Sequence, residues 1–150
     1  MDDRATETVR RFCAAWADED PAAPLELFGD DAVWVDGSRG EHRGKAAISS
    51  ELLAQRIAGG PVDIQIRSIL SDGHLVLTER LDTSTIGGLA FPLKLAAAFD
   101  VDDDGLITRW QDYFDFESFL QQLRDAGIPI DERTEAYEEL QANHSTGGTS

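Results

Sequence analysis

Apolar residues recur along this chain first with the period of a helix and later with the period of a strand. Near the start, Val9, Phe12, Cys13 and Trp16 fall at positions i, i+3, i+4 and i+7. This spacing predicts an amphipathic helix whose apolar stripe covers a sheet. Two later segments carry the same period and predict further helices: "GKAAISSELLAQRIAGG" and "FESFLQQLRDAG".

Between and after these helices, apolar and polar residues alternate as they do along a strand with one buried face. Five segments predict strands in this way: "DAVWVDG", "VDIQIRSIL", "HLVLTERLDTS", "LAFPLKLAAAF" and "LITRWQDYFDF". Helices come first and a run of antiparallel strands follows, which predicts an α+β domain with helices on one face of a curved sheet. We expect one such domain over residues 1–130, then a further helix and a disordered Ser/Thr/Gly tail over residues 131–150.

The charge of the chain excludes several classes of partner. Its 29 acidic and 13 basic residues give a formal charge of −16, which would repel a phosphate backbone or an anionic membrane surface. No segment approaches the roughly 20 apolar residues of a membrane helix, and the start lacks the pattern of a secretory signal. We therefore expect a cytoplasmic protein that binds neither nucleic acid nor membranes.

The sequence gives no support for a metal site. "DVDDDG", residues 100–105, matches the opening of a calcium loop, but Gln111 stands where a bidentate Glu is needed and strands approach from both sides. A hairpin turn is therefore predicted. The histidines, His42, His74 and His144, have no spacing that would place two on one face of an element. The single cysteine, Cys13, is expected to be a buried, unreactive thiol.

Two of the predicted strands carry charged residues that share a face. Arg80 and Asp82 are two residues apart in "LTERLD", and Asp112 lies between Trp110 and Phe114 on one face of a later strand. Burial among aromatic rings disfavours the ionised form of a carboxyl, so Asp112 needs a cation or donors nearby. If the two strands are neighbours, Arg80 can bridge Asp82 and Asp112, and two carboxyls in unequal environments make an acid and a base. The alternative is a solvated surface pair worth about 0 to 1 kcal/mol.

"LTERLD" together with "ITRWQDYFDFESF" resembles the limonene-1,2-epoxide hydrolase family, whose members carry an Arg-x-Asp on one strand and an Asp ahead of Tyr-Phe-Asp on the next. The likeness extends more weakly over most of residues 6–123. It implies the cone-shaped α+β fold of nuclear transport factor two, with a curved mixed or antiparallel sheet and N-terminal helices on its concave face. It also implies a homodimer and a deep apolar pocket.

The resemblance further implies a mechanism without metal or cofactor. Asp112 would be the general base that takes a proton from water, Asp82 the acid that protonates the epoxide oxygen, and Arg80 the link between them. We therefore predict a cofactor-independent epoxide hydrolase acting on a small lipophilic epoxide. The candidate substrate-binding residues are Trp34, Val76, Leu93, Leu95, Phe99, Trp110 and Phe114.

One strand departs from the family pattern. Trp34 and Asp36 stand where the family places a Tyr and an Asn that help to hold the attacking water. Trp donates one hydrogen bond and accepts none, whereas an ionised Asp only accepts. Two outcomes are open: hydrolysis in which Asp36 shares the role of base, or an epoxide-opening cyclase of polyether or polyketide biosynthesis whose nucleophile is a hydroxyl of the substrate. A further alternative is a non-catalytic ligand-binding module of the same fold.

Overall fold

The structure, a computed structural model, describes residues 2–130. In this range the chain forms three α-helices, six β-strands and a short 3-10 helix at Ala23–Leu27. The helices are α1 (Arg4–Ala15), α2 (Lys45–Gly59) and α3 (Phe116–Asp125). The strands are β1 (Phe28–Asp36), β2 (Glu41–Arg43), β3 (Val62–Ser71), β4 (Leu75–Ile86), β5 (Leu89–Val101) and β6 (Ile107–Phe114). The helix and tail expected over residues 131–150 lie outside the described residues.

All six strands belong to one mixed sheet. Their order is β2-β1-β6-β5-β4-β3, and β1 and β6 run parallel while the other neighbouring pairs are antiparallel. The predicted α+β fold with helices packed on a curved sheet is confirmed. Strand β2 was not predicted, because three residues are too short to show alternation.

The apolar stripe of α1 packs on the sheet as its spacing indicates. The ring of Phe12 makes edge contacts with Phe28 and Phe99 at centroid distances of 5.5 Å and with Trp110 at 4.8 Å. Cys13 is buried beside it, and burial raises the pKa of this thiol to about 11, so the thiol stays protonated and unreactive at neutral pH. Helix α1 therefore covers the middle of the sheet.

The segment that resembles a calcium loop is the turn between β5 and β6. The Oδ1 of Asp102 accepts hydrogen bonds from the backbone N–H groups of Asp104 and Leu106 at 3.0 Å and 2.9 Å. A carboxylate that accepts from backbone groups two and four residues on stabilises a tight turn, as the sequence predicts. None of the helices in residues 2–130 is long and apolar enough to cross a membrane.

Candidate active site

Arg80 and Asp112 approach each other across an intervening strand. The sequence hypothesis required neighbouring strands, and this requirement was wrong, because β5 lies between β4 and β6. In the register of the sheet, Ala97 of β5 lies between Thr78 and Asp112. Since Ala97 is small, the long Arg80 side chain can extend over β5 towards Asp112.

The guanidinium of Arg80 contacts both carboxyls in the interior. Its Nε and Nη2 donate to Oδ1 and Oδ2 of Asp82 at 3.1 Å and 2.7 Å, a two-point contact that fixes the carboxylate plane. Its Nη2 is also 3.9 Å from Oδ1 of Asp112. The side chain of Arg80 is 1% exposed, against 13% for Asp82 and 6% for Asp112. The group is therefore buried, unlike the solvated surface pair that the sequence left open.

Asp112 lies against two stacked indoles. The rings of Trp34 and Trp110 are parallel with centroids 4.4 Å apart. Trp110 Nε1 donates to Oδ1 of Asp112 at 2.7 Å, and Trp34 Nε1 donates to Oδ2 at 3.4 Å. Burial raises the pKa of Asp112 to about 7, although the charge of Arg80 opposes this rise. A carboxyl with this pKa exchanges its proton near neutral pH.

Asp82 has a different environment from Asp112. Burial raises the pKa of Asp82, while the charge and the hydrogen bonds of Arg80 act in the opposite direction. Asp112 takes its hydrogen bonds from indoles and is further from the guanidinium than Asp82 is. The two carboxyls are thus held by one cation in unequal surroundings, which is the arrangement required of an acid and base pair.

Asp36 of β1 is a third buried carboxyl, and it is paired with Asp112 in the parallel register of β1 and β6. Its Oδ2 accepts a hydrogen bond from Nε2 of Gln55 at 2.8 Å and lies 3.4 Å from Nη1 of Arg39. Burial raises the pKa of Asp36, and the charge of Arg39 opposes it. Sequence reasoning found Asp36 but missed Gln55 and Arg39, because a Gln on a helix and an Arg in a turn carry no periodic signal.

One grouping near Asp36 has ligand types that suit a cation. Single ligand atoms of Asp36, His42 and Glu51 lie within 4.8 Å of one another, a proximity that the sequence did not indicate. Gln55 Nε2 donates to both Asp36 and Glu51. The Arg39 guanidinium lies beside Oδ2 of Asp36. Donors and a positive charge at these oxygens favour a hydrogen-bonded network over a metal site.

The three carboxyls and Arg80 line a cavity of about 130 Å³ on the helix-covered side of the sheet. Five of the predicted substrate-binding residues also line it: Trp34, Leu93, Leu95, Trp110 and Phe114. Val76 and Phe99 do not line this cavity, which corrects their assignment to its wall. Both are fully buried in the core, and they pair with each other in the register of β4 and β5. They share the face of Arg80 but lie further along the strands, where Phe12 packs on Phe99.

The chain is similar to known proteins over most of its length. The family model of the limonene-1,2-epoxide hydrolase catalytic domain matches residues 3–125. Epoxide hydrolase EphG of Mycobacterium tuberculosis is 36% identical over 118 residues, which are 77% of this chain and 77% of EphG.

Solved structures show the same fold. A limonene-epoxide-hydrolase-like epoxide hydrolase of M. tuberculosis superposes with a TM-score of 0.70 at 33% identity, covering 85% of this chain and 97% of that one. A proposed polyketide cyclase of Xanthomonas campestris pv. campestris superposes with a TM-score of 0.66 at 26% identity, covering 80% of this chain and 96% of that one.

Replacing Trp110 with Phe removes the 2.7 Å hydrogen bond to Asp112. Because this bond lowers the pKa of Asp112, we expect the pKa to rise above its value of about 7. An NMR titration of the Asp112 carboxyl carbon measures the change. Trp34→Phe removes only the 3.4 Å contact and should give a smaller rise. A pKa that stays constant or falls in Trp110→Phe would contradict this role of the indole.

Proposed function

The chain belongs to the limonene-1,2-epoxide hydrolase family, and on this basis we propose that it is a cofactor-independent epoxide hydrolase. Its substrate is a small lipophilic epoxide, to which it adds water in one acid and base step. The observation that carries the proposal is the buried contact of Arg80 with Asp82 and Asp112 in one cavity. The same three residues carry the resemblance to the family.

Asp112 acts as the general base in this proposal. A base works best when its pKa is close to the working pH, because it is then both ionised and able to hold the proton it takes. The pKa of about 7 for Asp112 meets this condition. Water beside Asp112 gives up a proton to it as the water oxygen attacks one carbon of the epoxide ring.

Asp82 acts as the acid that protonates the epoxide oxygen while the carbon–oxygen bond breaks. Concerted protonation avoids a free alkoxide in a buried cavity. The pair therefore works with one proton between its two carboxyls, carried by Asp82 before the step and by Asp112 after it. Arg80 keeps both carboxyls in place, and the proton must return to Asp82 before the next turnover.

Asp36 is proposed to help hold the attacking water. It lines the cavity and is the register partner of Asp112, while Gln55 and Arg39 keep its carboxyl oriented. Trp34 uses its only donor on Asp112 and has no acceptor. In other family members a Tyr would make hydrogen bonds to the attacking water. In this protein the carboxyls must make those hydrogen bonds.

The substitution of Trp34 and Asp36 for a Tyr and an Asn supports a second candidate function. If these residues no longer hold water, the nucleophile can be a hydroxyl of the substrate, and the protein is then an epoxide-opening cyclase. The fold shared with a proposed polyketide cyclase at 26% identity is compatible with this candidate. A non-catalytic ligand-binding module of the same fold is distinguished from both by the absence of turnover.

The homodimer stays a prediction from the resemblance, and the cytoplasmic location stays a prediction from the sequence. The outer face of the sheet offers some support for a dimer. Leu77 is 46% exposed and Tyr113 is 55% exposed, and both point away from the cavity because neighbouring residues on a strand alternate in direction.

Asp112→Asn removes the proton acceptor with little change in volume. We expect kcat/KM for epoxide hydrolysis to fall by about 10²- to 10⁴-fold, the usual value of a positioned proton transfer. Steady-state kinetics on a panel of lipophilic epoxides measures the loss, and circular dichroism checks the fold. Asp103→Asn, at a side chain that is 95% exposed, is the matched control and should keep the parent rate. Full activity of Asp112→Asn would remove the assignment of the base.

The dependence of kcat/KM on pH should be bell-shaped. Activity is expected to fall at low pH, where both carboxyls are protonated and Asp112 ceases to be a base, and one limb of the profile should lie near pH 7, where Asp112 exchanges its proton. It should fall again at higher pH, where the pair loses the proton that the acid must donate. A profile that is flat between about pH 5 and pH 9 would contradict a pair that shares one proton.

Turnover in H₂¹⁸O separates the two catalytic candidates. A hydrolase places one ¹⁸O atom in the diol, which mass spectrometry detects, whereas a cyclase places none in its cyclic ether. We expect one labelled oxygen per product. The double variant Trp34→Tyr and Asp36→Asn restores the family residues and serves as the comparison: unlabelled product from the parent and labelled diol from this variant would favour the cyclase.

A further inference from the structure

The proposed reaction leaves a proton on a carboxyl that lies inside the protein. After each turnover Asp112 holds the proton that it took from water, and Asp82 has lost one. The side chain of Asp112 is 6% exposed, and the indoles of Trp34 and Trp110 donate to it from one side. The proton on Asp112 must therefore leave a buried position before the next water molecule can be activated.

Asp36 is the titratable group beside Asp112 on the side away from Arg80. Asp36 of β1 and Asp112 of β6 are register partners in neighbouring strands, and both line the catalytic cavity. Burial is the main cause of the raised pKa of Asp112, the charge of Arg80 opposes the rise, and the charge of Asp36 adds to it. Two carboxyls coupled in this way can exchange a proton through one water molecule.

His42 of β2 and Glu51 of α2 lie close to Asp36. Single ligand atoms of these three residues all lie within 4.8 Å of one another. Gln55 Nε2 holds the two carboxyls side by side, because it donates to Asp36 at 2.8 Å and to Glu51 at 3.1 Å. One water molecule can bridge a gap of this size between polar groups. The three titratable side chains therefore form a continuous path for a proton.

The path leads from the interior to the surface. Asp36 is buried, whereas His42 and Glu51 are half-buried. Neither His42 nor Glu51 lines the catalytic cavity, so a proton that reaches them has left the space that the substrate and the product occupy. An imidazole suits this position, because it can accept a proton at one ring nitrogen and donate from the other.

From this arrangement we infer that Asp36, His42 and Glu51 form a proton relay that resets the site after each turnover. Asp112 passes its proton through a water molecule to Asp36, and Asp36 passes it to Glu51 or to a ring nitrogen of His42, which releases it to solvent. Asp82 regains a proton from solvent, so one proton leaves and one enters. The inference rests on the proposed function, because that function puts the proton on Asp112.

The relay gives a reason for the departure from the family pattern at position 36. The family places an Asn there, and a neutral amide neither gains nor loses a proton near neutral pH. Asp36 can do both. The substitution therefore adds a step that an Asn at this position could not perform, namely the removal of the proton by a route separate from the cavity.

The double variant Glu51→Gln and His42→Phe, named here the relay variant, tests the inference. Phe keeps a ring beside Trp34, whose centroid lies 5.1 Å from that of His42. We expect kcat to fall by about tenfold, less than the full value of a positioned proton transfer because water still accepts some protons. The value of kcat/KM should stay within about twofold of the parent, because the proton leaves after the epoxide has opened. Added imidazole should restore kcat.

The double variant Glu41→Gln and His74→Phe is the matched control. Glu41 is exposed, lies next to His42 on β2 and pairs with Arg43. His74 is exposed in the turn between β3 and β4. Neither residue lines the catalytic cavity. This variant should keep the parent kcat with and without imidazole, and circular dichroism checks the fold of both double variants.

Proton exchange at Asp112 is also measurable without substrate. NMR relaxation dispersion of its carboxyl carbon, recorded in the middle of its titration, gives the rate at which the protonated and ionised forms interconvert. We expect this rate to be lower in the relay variant than in the parent and in the control. Imidazole should raise the rate in the relay variant towards that of the parent.

The outcomes separate the relay from the function. If epoxides are turned over and the relay variant has the parent kcat, the relay is overturned and the function stands. A joint fall of kcat and kcat/KM that imidazole does not relieve also overturns it, since this result indicates a structural role. If no epoxide is turned over, the proposed function fails. The exchange rate at Asp112 then decides: a lower rate that imidazole restores supports the path, and an unchanged rate overturns it.

Discussion

The buried contact between one guanidinium and two carboxyls is the interaction on which the proposed chemistry depends. Moving a single ionised group into a protein interior costs several kcal/mol, so without a cation Asp82 and Asp112 would both be protonated in a cavity lined by aromatic rings. Arg80 supplies that cation, and it contacts Asp82 more closely than Asp112. This asymmetry separates the two environments, and an acid and a base need such a separation.

The core of the protein and its site are joined through stacked aromatic rings. Phe12 of α1 meets the edge of Trp110, and Trp110 stacks on Trp34. Both indoles then donate to Asp112. The proposed base is thus positioned by residues whose own orientations are set by core packing, as precise catalytic geometry requires. The indoles also keep water away from one side of Asp112, and this burial is the main cause of its raised pKa.

The departure from the family at Trp34 and Asp36 changes which hydrogen-bond donors and acceptors the site offers to a water molecule. A Tyr and an Asn would offer neutral groups that donate and accept, whereas here an indole already donates to Asp112 and a carboxyl is held by Gln55 and Arg39. Hydrolysis and cyclisation differ in the nucleophile that lies beside Asp112: a water molecule in hydrolysis, and a hydroxyl group of the substrate in cyclisation. In the proposed reaction, the shape of the cavity therefore matters as much as the acid and base pair, since it decides which hydroxyl group reaches Asp112.

The sequence by itself determined which side chains share a face, because alternation along a strand is a local property of the backbone. Arg80 with Asp82, and Asp112 with its flanking aromatics, were assigned in this way, and the two motifs indicated the family. Only the tertiary structure decided that β5 separates the two motif strands, that β1 brings Asp36 beside Asp112, and that Val76 and Phe99 belong to the core. Strand order and depth along a strand depend on contacts between residues that are distant in the chain, and no periodicity of a single segment encodes them.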